Sequence, residues 1–130
     1  MQRTVLVIDD VETCSDTLEL ILGALDDIDV VTASSAEQAW ETFENGARSI
    51  AAVVTDLEMR GMDGFELIER IRSHHRLAGV PIMVISGSSD PDARLRAERL
   101  GANAFFTKPY SAGLVRKTME KLLAHETPMP

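Results

Sequence analysis

A chain of 130 residues, 45% of them hydrophobic, is long enough for one domain built around one core. Its formal net charge of -8 excludes a general nucleic-acid-binding surface, because a phosphate backbone would be repelled over most of the molecule. No apolar run approaches the roughly 20 residues of a membrane helix, and the start "MQRTVLVIDD" turns acidic too early for a secretory leader, so a soluble, cytoplasmic protein is expected.

The first apolar run, Val5 to Ile8, reads as a strand that ends on two adjacent carboxylates, Asp9 and Asp10. A helical pattern follows over 12–25. It carries the single cysteine, Cys14, which has no partner for a disulfide or a cysteine zinc site and reads as a small buried hydrophobe. The second strand is Val30 to Thr32. Ser35, with Gln38 three residues on, resembles a capping box for a helix over 36–45, and Gly46 stands where a left-handed C-cap belongs. On that helix Trp40 and Phe43 are spaced i, i+3 and read as packing residues.

The third strand, Ala52 to Thr55, ends on Asp56, and a helix is predicted over 64–74. His74 and His75 close that helix and read as solvated side chains pointing in different directions; His125 lies near the end of the chain. The fourth strand, Ile82 to Ile85, delivers Ser86 with Gly87 behind it and Ser88 next. Asp90 is then the expected N-cap of a helix over 91–100, with Pro91 at its first position and Gly101 at its C-cap. Ala104 to Phe106, the fifth strand, leads into Lys108 and Pro109, and a last helix covers 111–124. The end, "HETPMP", holds two prolines and little to bury, which separates a domain over 1–124 from a flexible tail or linker start over 125–130.

Strands alternating with helices throughout are the signature of a parallel α/β sheet. Five such units are too few for an eight-stranded barrel and favour a doubly wound sheet in the order 2-1-3-4-5 with helices on both faces. In that order the topological switch lies between strands one and three, and ligands bind beyond the carboxyl ends of the strands there. Asp9, Asp10 and Asp56 should therefore meet in one crevice.

Two unit charges about 4 Å apart repel by roughly 4 kcal/mol at an effective dielectric near 20, so three clustered carboxylates need neutralising. Oxygen ligands with no His or Cys nearby select a hard cation, and an incomplete protein shell suits Mg²⁺, with Mn²⁺ as a substitute. The alternative, that Asp9 and Asp10 merely cap the following helix, leaves the second carboxylate unexplained. A metal beside a free carboxylate suits phosphoryl transfer, which also wants a second cation and a hydroxyl donor. Lys108 and Ser86, at the ends of the fifth and fourth strands, are those groups.

The ordered set of "DD" after strand one, "D" after strand three, "S-G" after strand four and "K-P" after strand five resembles the receiver domain of two-component response regulators, over the chain to about residue 124. The resemblance implies a flavodoxin-like fold in which Asp56 accepts a phosphoryl group from a sensor histidine kinase, a phosphotransfer protein or a small phosphodonor. Mg²⁺ would be held by Asp10, Asp56 and the backbone carbonyl of Glu58, with Asp9 acting directly or through water. Lys108, joined to Pro109 by a peptide bond expected to be cis, would pair with a phosphoryl oxygen, and Ser86 would donate a hydrogen bond to it. Phe105 would turn inward as Ser86 moves, changing the surface of the fourth helix, fifth strand and fifth helix that controls a partner protein or meets a second copy. Glu58 and Ser88 fall where side chains tune hydrolysis of the acyl phosphate.

That surface coincides with a charge asymmetry, since residues 1–89 hold 6 Arg/Lys against 16 Asp/Glu while residues 90–121 hold 7 against 4. One departure is Arg60, where the family often has proline; it frees a backbone angle in the loop after Asp56. Three functions compete. A signalling module that catalyses only its own phosphoryl transfer and slow dephosphorylation is favoured. A phosphatase with an aspartyl intermediate could use "DLE" at Asp56 to Glu58 but lacks a cap insertion to hold substrate, and a scaffold indifferent to phosphorylation would not need the intact acceptor set. A cofactor domain ranks lower, because no Gly-rich turn follows the first strand.

Overall fold

A computed structural model describes residues 3–45, 49–88 and 90–125. In chain order the elements are β1 (Arg3–Ile8), α1 (Glu12–Gly23), β2 (Ile28–Ala33), α2 (Ala36–Asn45), β3 (Ile50–Thr55), α3 (Gly64–Ser73), β4 (Ile82–Ser86), α4 (Pro91–Leu100), β5 (Ala104–Thr107) and α5 (Ala112–His125). The strands form one parallel sheet in the order β2-β1-β3-β4-β5, the doubly wound, flavodoxin-like arrangement expected from the sequence.

The apolar strand runs follow from burial on both faces. Leu6, Ile8, Val53 and Val84 share one layer with Ala39, Leu67, Ile71 and Ala97. Val5, Val7, Val54, Met83 and Ile85 point the other way, onto Leu18, Leu22, Val115 and Met119. Each fully buried aliphatic side chain of this kind contributes about 1.5–3 kcal/mol. Strand ends run past the apolar runs because pairing, not hydropathy, sets them: β1 and β2 already pair at Arg3 and Ile28.

Several helix ends differ from expectation. At α2, Ser35 Oγ accepts from Gln38 N at 3.0 Å, but Gln38 Oε1 accepts from Ser34 N and Ser34 Oγ instead of closing a capping box on Ser35. The N-cap of α1 is Val11, which has no side-chain cap bond. Asp63 caps α3 by accepting from Glu66 N at 2.9 Å. Asp90 accepts from Asp92 N at 3.0 Å, and Gly101 takes the left-handed conformation at φ 115°, both as predicted for α4. Helix α1 stops at Gly23, whereas α5 extends through His125, one residue into the tail expected over 125–130. Gly46 and residues 126–130 lie outside the described residues.

His74 and His75 do not diverge. Their rings stack at 4.9 Å with planes 14° apart, and His74 also meets Trp40 edge-on at 5.7 Å. Trp40 packs edge-on to Phe43 at 5.5 Å, so this aromatic row belongs to the α2–α3 packing, as expected for Trp40 and Phe43. Among the described residues no helix is long and apolar enough to cross a membrane.

Candidate functional site

Ile8 and Thr55 are register partners, so the chain leaves β1 and β3 side by side at the sheet's carboxyl edge. Asp9 and Asp56 are buried there and Asp10 is exposed. One carboxylate oxygen from each of the three lies within 4.8 Å of the others. The three aspartates that the sequence assigned to the topological switch are thus brought together there.

The fifth strand brings the cation. Lys108 N donates to Ser86 O at 2.7 Å, which fixes the chain beyond β5 against the end of β4. Lys108 Nζ then lies 3.3 Å from Asp9 Oδ2 and 3.2 Å from Asp56 Oδ2. The other oxygens are held by backbone: Asp9 Oδ1 accepts from Val11 N at 2.9 Å, and Asp56 Oδ1 accepts from Leu57 N at 2.7 Å and from Glu58 N at 3.2 Å. Each buried carboxylate is therefore oriented by amides on one side and by the ammonium on the other. The Lys108–Pro109 peptide is cis, as expected.

The electrostatics show what this arrangement lacks. Burial pushes the Asp9 carboxyl above its ordinary value, and the charge of Asp56 adds to that, against the opposing effects of the Val11 amide and Lys108. For Lys108, burial pulls downward but the carboxylates of Asp56 and Asp9 outweigh it, holding the ammonium above the usual lysine range. An isolated ion pair would lower its acid while raising its base. Here both rise, because at Asp9 burial outweighs the opposing pull of the ammonium. Three carboxylates and one ammonium leave two uncompensated negative charges on an all-oxygen donor set, which fits a hard divalent cation.

The remaining predicted residues are close but not all in contact. Ser86 is fully buried, and its Oγ accepts from Ser88 N at 3.1 Å rather than touching Asp56. Ser88 Oγ in turn accepts from Asp90 N at 3.2 Å, at the start of α4. Phe105 is buried beneath Arg94, whose guanidinium lies 5.9 Å from the ring centroid. The Glu58 side chain is exposed.

Two contributors were not foreseen. Cys14 is half-buried, not sunk in the core, and its Sγ stands 3.6 Å from Lys108 Nζ at the rim of the site. Its place in the first turn after Asp10 was the available signal. Gly64 packs under the loop that follows Asp56, where a Cβ would collide with the Asp56 carbonyl oxygen and Leu57 Cα. The loop between them is also tied from α2, since Met62 N donates to Glu37 Oε2 at 3.1 Å.

The family model of the response regulator receiver domain matches residues 5–120. This chain belongs to that family. Among curated relatives, the chemotaxis protein CheY1 of Helicobacter pylori is 28% identical over 118 residues, spanning 91% of this chain and 94% of its own. A response regulator receiver protein from Pseudomonas putida, of known crystal structure, is 32% identical, with a TM-score of 0.83 over 93% of this receiver and 98% of its own chain. A receiver domain protein from Clostridium thermocellum is 25% identical at TM-score 0.85, covering 95% and 96% of the two chains.

Proposed function

We propose that this receiver is the phosphoacceptor of a two-component phosphorelay, with Asp56 as the residue that becomes phosphorylated. The observation that carries the reading is the double contact of Lys108 Nζ with Asp9 and Asp56, inside a cluster that Asp10 completes. Asp9, Asp10, Asp56 and the backbone carbonyl of Glu58 would hold Mg²⁺, or Mn²⁺ in its place. When bound, the ion supplies neutralising charge for the phosphoryl oxygens and the carboxylates.

The chain's own groups supply the rest. Asp56 Oδ1 is held by the Leu57 and Glu58 amides, which leaves Oδ2, beside Lys108, as the nucleophile toward the incoming phosphorus. The donor keeps the electron pair of the broken P–N or P–O bond, and the new bond is a mixed anhydride at Asp56. Lys108 moves from a carboxylate to a phosphoryl oxygen. Ser86 Oγ, now engaged with Ser88 N, turns to donate to the same group. Phe105 follows on the neighbouring strand, which alters the α4, β5 and α5 surface that meets a downstream protein or a second copy. Glu58 and Ser88 set how readily water reaches the acyl phosphate.

The phosphodonor is a sensor histidine kinase or phosphotransfer protein, and the domain spans residues 1–124. The test is intact-protein mass after incubation with a small phosphodonor, with and without Mg²⁺. The wild type should gain one phosphoryl group only with the metal, and Asp56→Asn should gain none. Equal incorporation into Asp56→Asn would place the acceptor elsewhere.

A further inference from the structure

Beside the carboxylate cluster a cleft of about 400 Å³ opens between the β3–α3 loop and the first turns of α4. That volume lies within the range of sites that hold small groups. Leu57, Phe65 and Ala93 form its apolar lining, and Glu58, Asp92 and Arg96 stand at its charged edge.

The charges at this edge are not balanced. Asp63 and Asp90 also line the cleft, each accepting from an amide of the helix it caps. Arg96 has its guanidinium 4.1 Å from the centroid of the Phe65 ring. Among the described residues neither Glu58 nor Asp92 forms an ion pair, so four carboxylates face one guanidinium. An anion would be repelled here, and a purely apolar group would leave the acidic edge uncompensated.

We propose that this cleft receives a long cationic side chain, arginine or lysine, presented by a partner protein. Its methylene stem lies along Leu57, Phe65 and Ala93, and its charged head reaches Glu58 and Asp92. A flexible apolar stem ending in a cation is the side-chain shape that matches an apolar lining with an acidic edge. Because Leu57 and Glu58 directly follow Asp56, a side chain bound here brings its partner against the acceptor loop. This docking does not require phosphorylation, so it stands or falls separately from the phosphoacceptor reading.

The test is an amide chemical-shift titration with three probes: Nα-acetyl-arginine amide, its neutral analogue Nα-acetyl-citrulline amide, and Nα-acetyl-leucine amide. Mg²⁺ is kept in excess to compete for the aspartate cluster. The arginine probe should shift amides of residues 57–66 and 90–97 and bind several-fold more tightly than citrulline. Asp92→Asn, checked as folded by the rest of its spectrum, should weaken it about two- to fivefold. Equal binding of arginine and citrulline, shifts confined to residues 9–12 and 56, or an affinity unchanged by Asp92→Asn would each overturn the proposal. Tighter binding of the leucine probe would overturn it too, by making the cleft a seat for an apolar anchor.

Discussion

At the scale of single residues the site is a balance of buried charge. Asp9 holds its proton more tightly in the fold than in the unfolded chain, because burial and Asp56 oppose its ionisation. Its contribution to stability is therefore most favourable at acid pH and is lost as pH rises from the ordinary carboxyl value through the raised one. Without metal at neutral pH, Asp9→Asn should melt a few degrees above wild type, and added Mg²⁺ should reverse the ranking. A ligand at one hundred times its dissociation constant stabilises by about 2.7 kcal/mol, and the variant should lose most of that. Thermal melts in chelator and in Mg²⁺ measure both effects, and an Asp9→Asn protein less stable than wild type in chelator would refute the charge argument. Lys108 has the opposite sign: its pKa is raised in the fold, so its stabilisation is complete below the ordinary lysine value and is lost as pH rises through the raised one. Lys108→Ala should cost on the order of 2 kcal/mol in chelator, since it leaves two buried carboxylates unpaired. Urea unfolding at neutral pH reads that loss. The five polar positions were legible in the sequence because each sits at or just beyond the end of a strand. The Cys14 contact and the stacked histidines were not, since both depend on distances that no local pattern encodes.

At the scale of elements, the packing that holds α4 in place converges on Arg72 near the end of α3. Its guanidinium donates to Gly101 O from Nε at 3.1 Å and Nη2 at 2.7 Å, and to Ala78 O and Val80 O from Nη1 at 3.0 and 2.6 Å. A further bond reaches Asn103 Oδ1 at 2.9 Å, and the same oxygen accepts from Ile82 N at 2.8 Å. One side chain thus joins α3, the approach to β4, the C-cap of α4 and the turn into β5. Arg72→Met should destabilise by about 2–4 kcal/mol, because carbonyls lose charge-assisted donors. Arg72→Lys should recover only part of this, since an ammonium cannot reproduce the planar fork. Urea unfolding of the pair checks it; full rescue by lysine would mean that charge alone matters. Element identities and the Asp90 and Gly101 caps were legible because turn chemistry is local. The Arg72 clamp was hidden, because an arginine on a helix near its end looks like any other until its distant carbonyls are known.

For the whole molecule, the sheet order explains why the three aspartates, Ser86 and Lys108 gather at one edge. Strands β1 and β3 bring the carboxylates, β4 and β5 bring Ser86 and Lys108, and the last two strands lead directly into α4 and α5. The α4 and α5 region is the locally basic part of the chain, and Leu95 and Leu114 are exposed on it. Fold class and strand order were legible because alternating elements and chirality leave few topologies. The most direct measurement is an amide chemical-shift map of the protein before and after phosphorylation with Mg²⁺ present. The account predicts changes at residues 56–59, at 86–100 and at 104–110, all absent from Asp56→Asn. A stably phosphorylated protein whose shifts change only around residue 56 would contradict it.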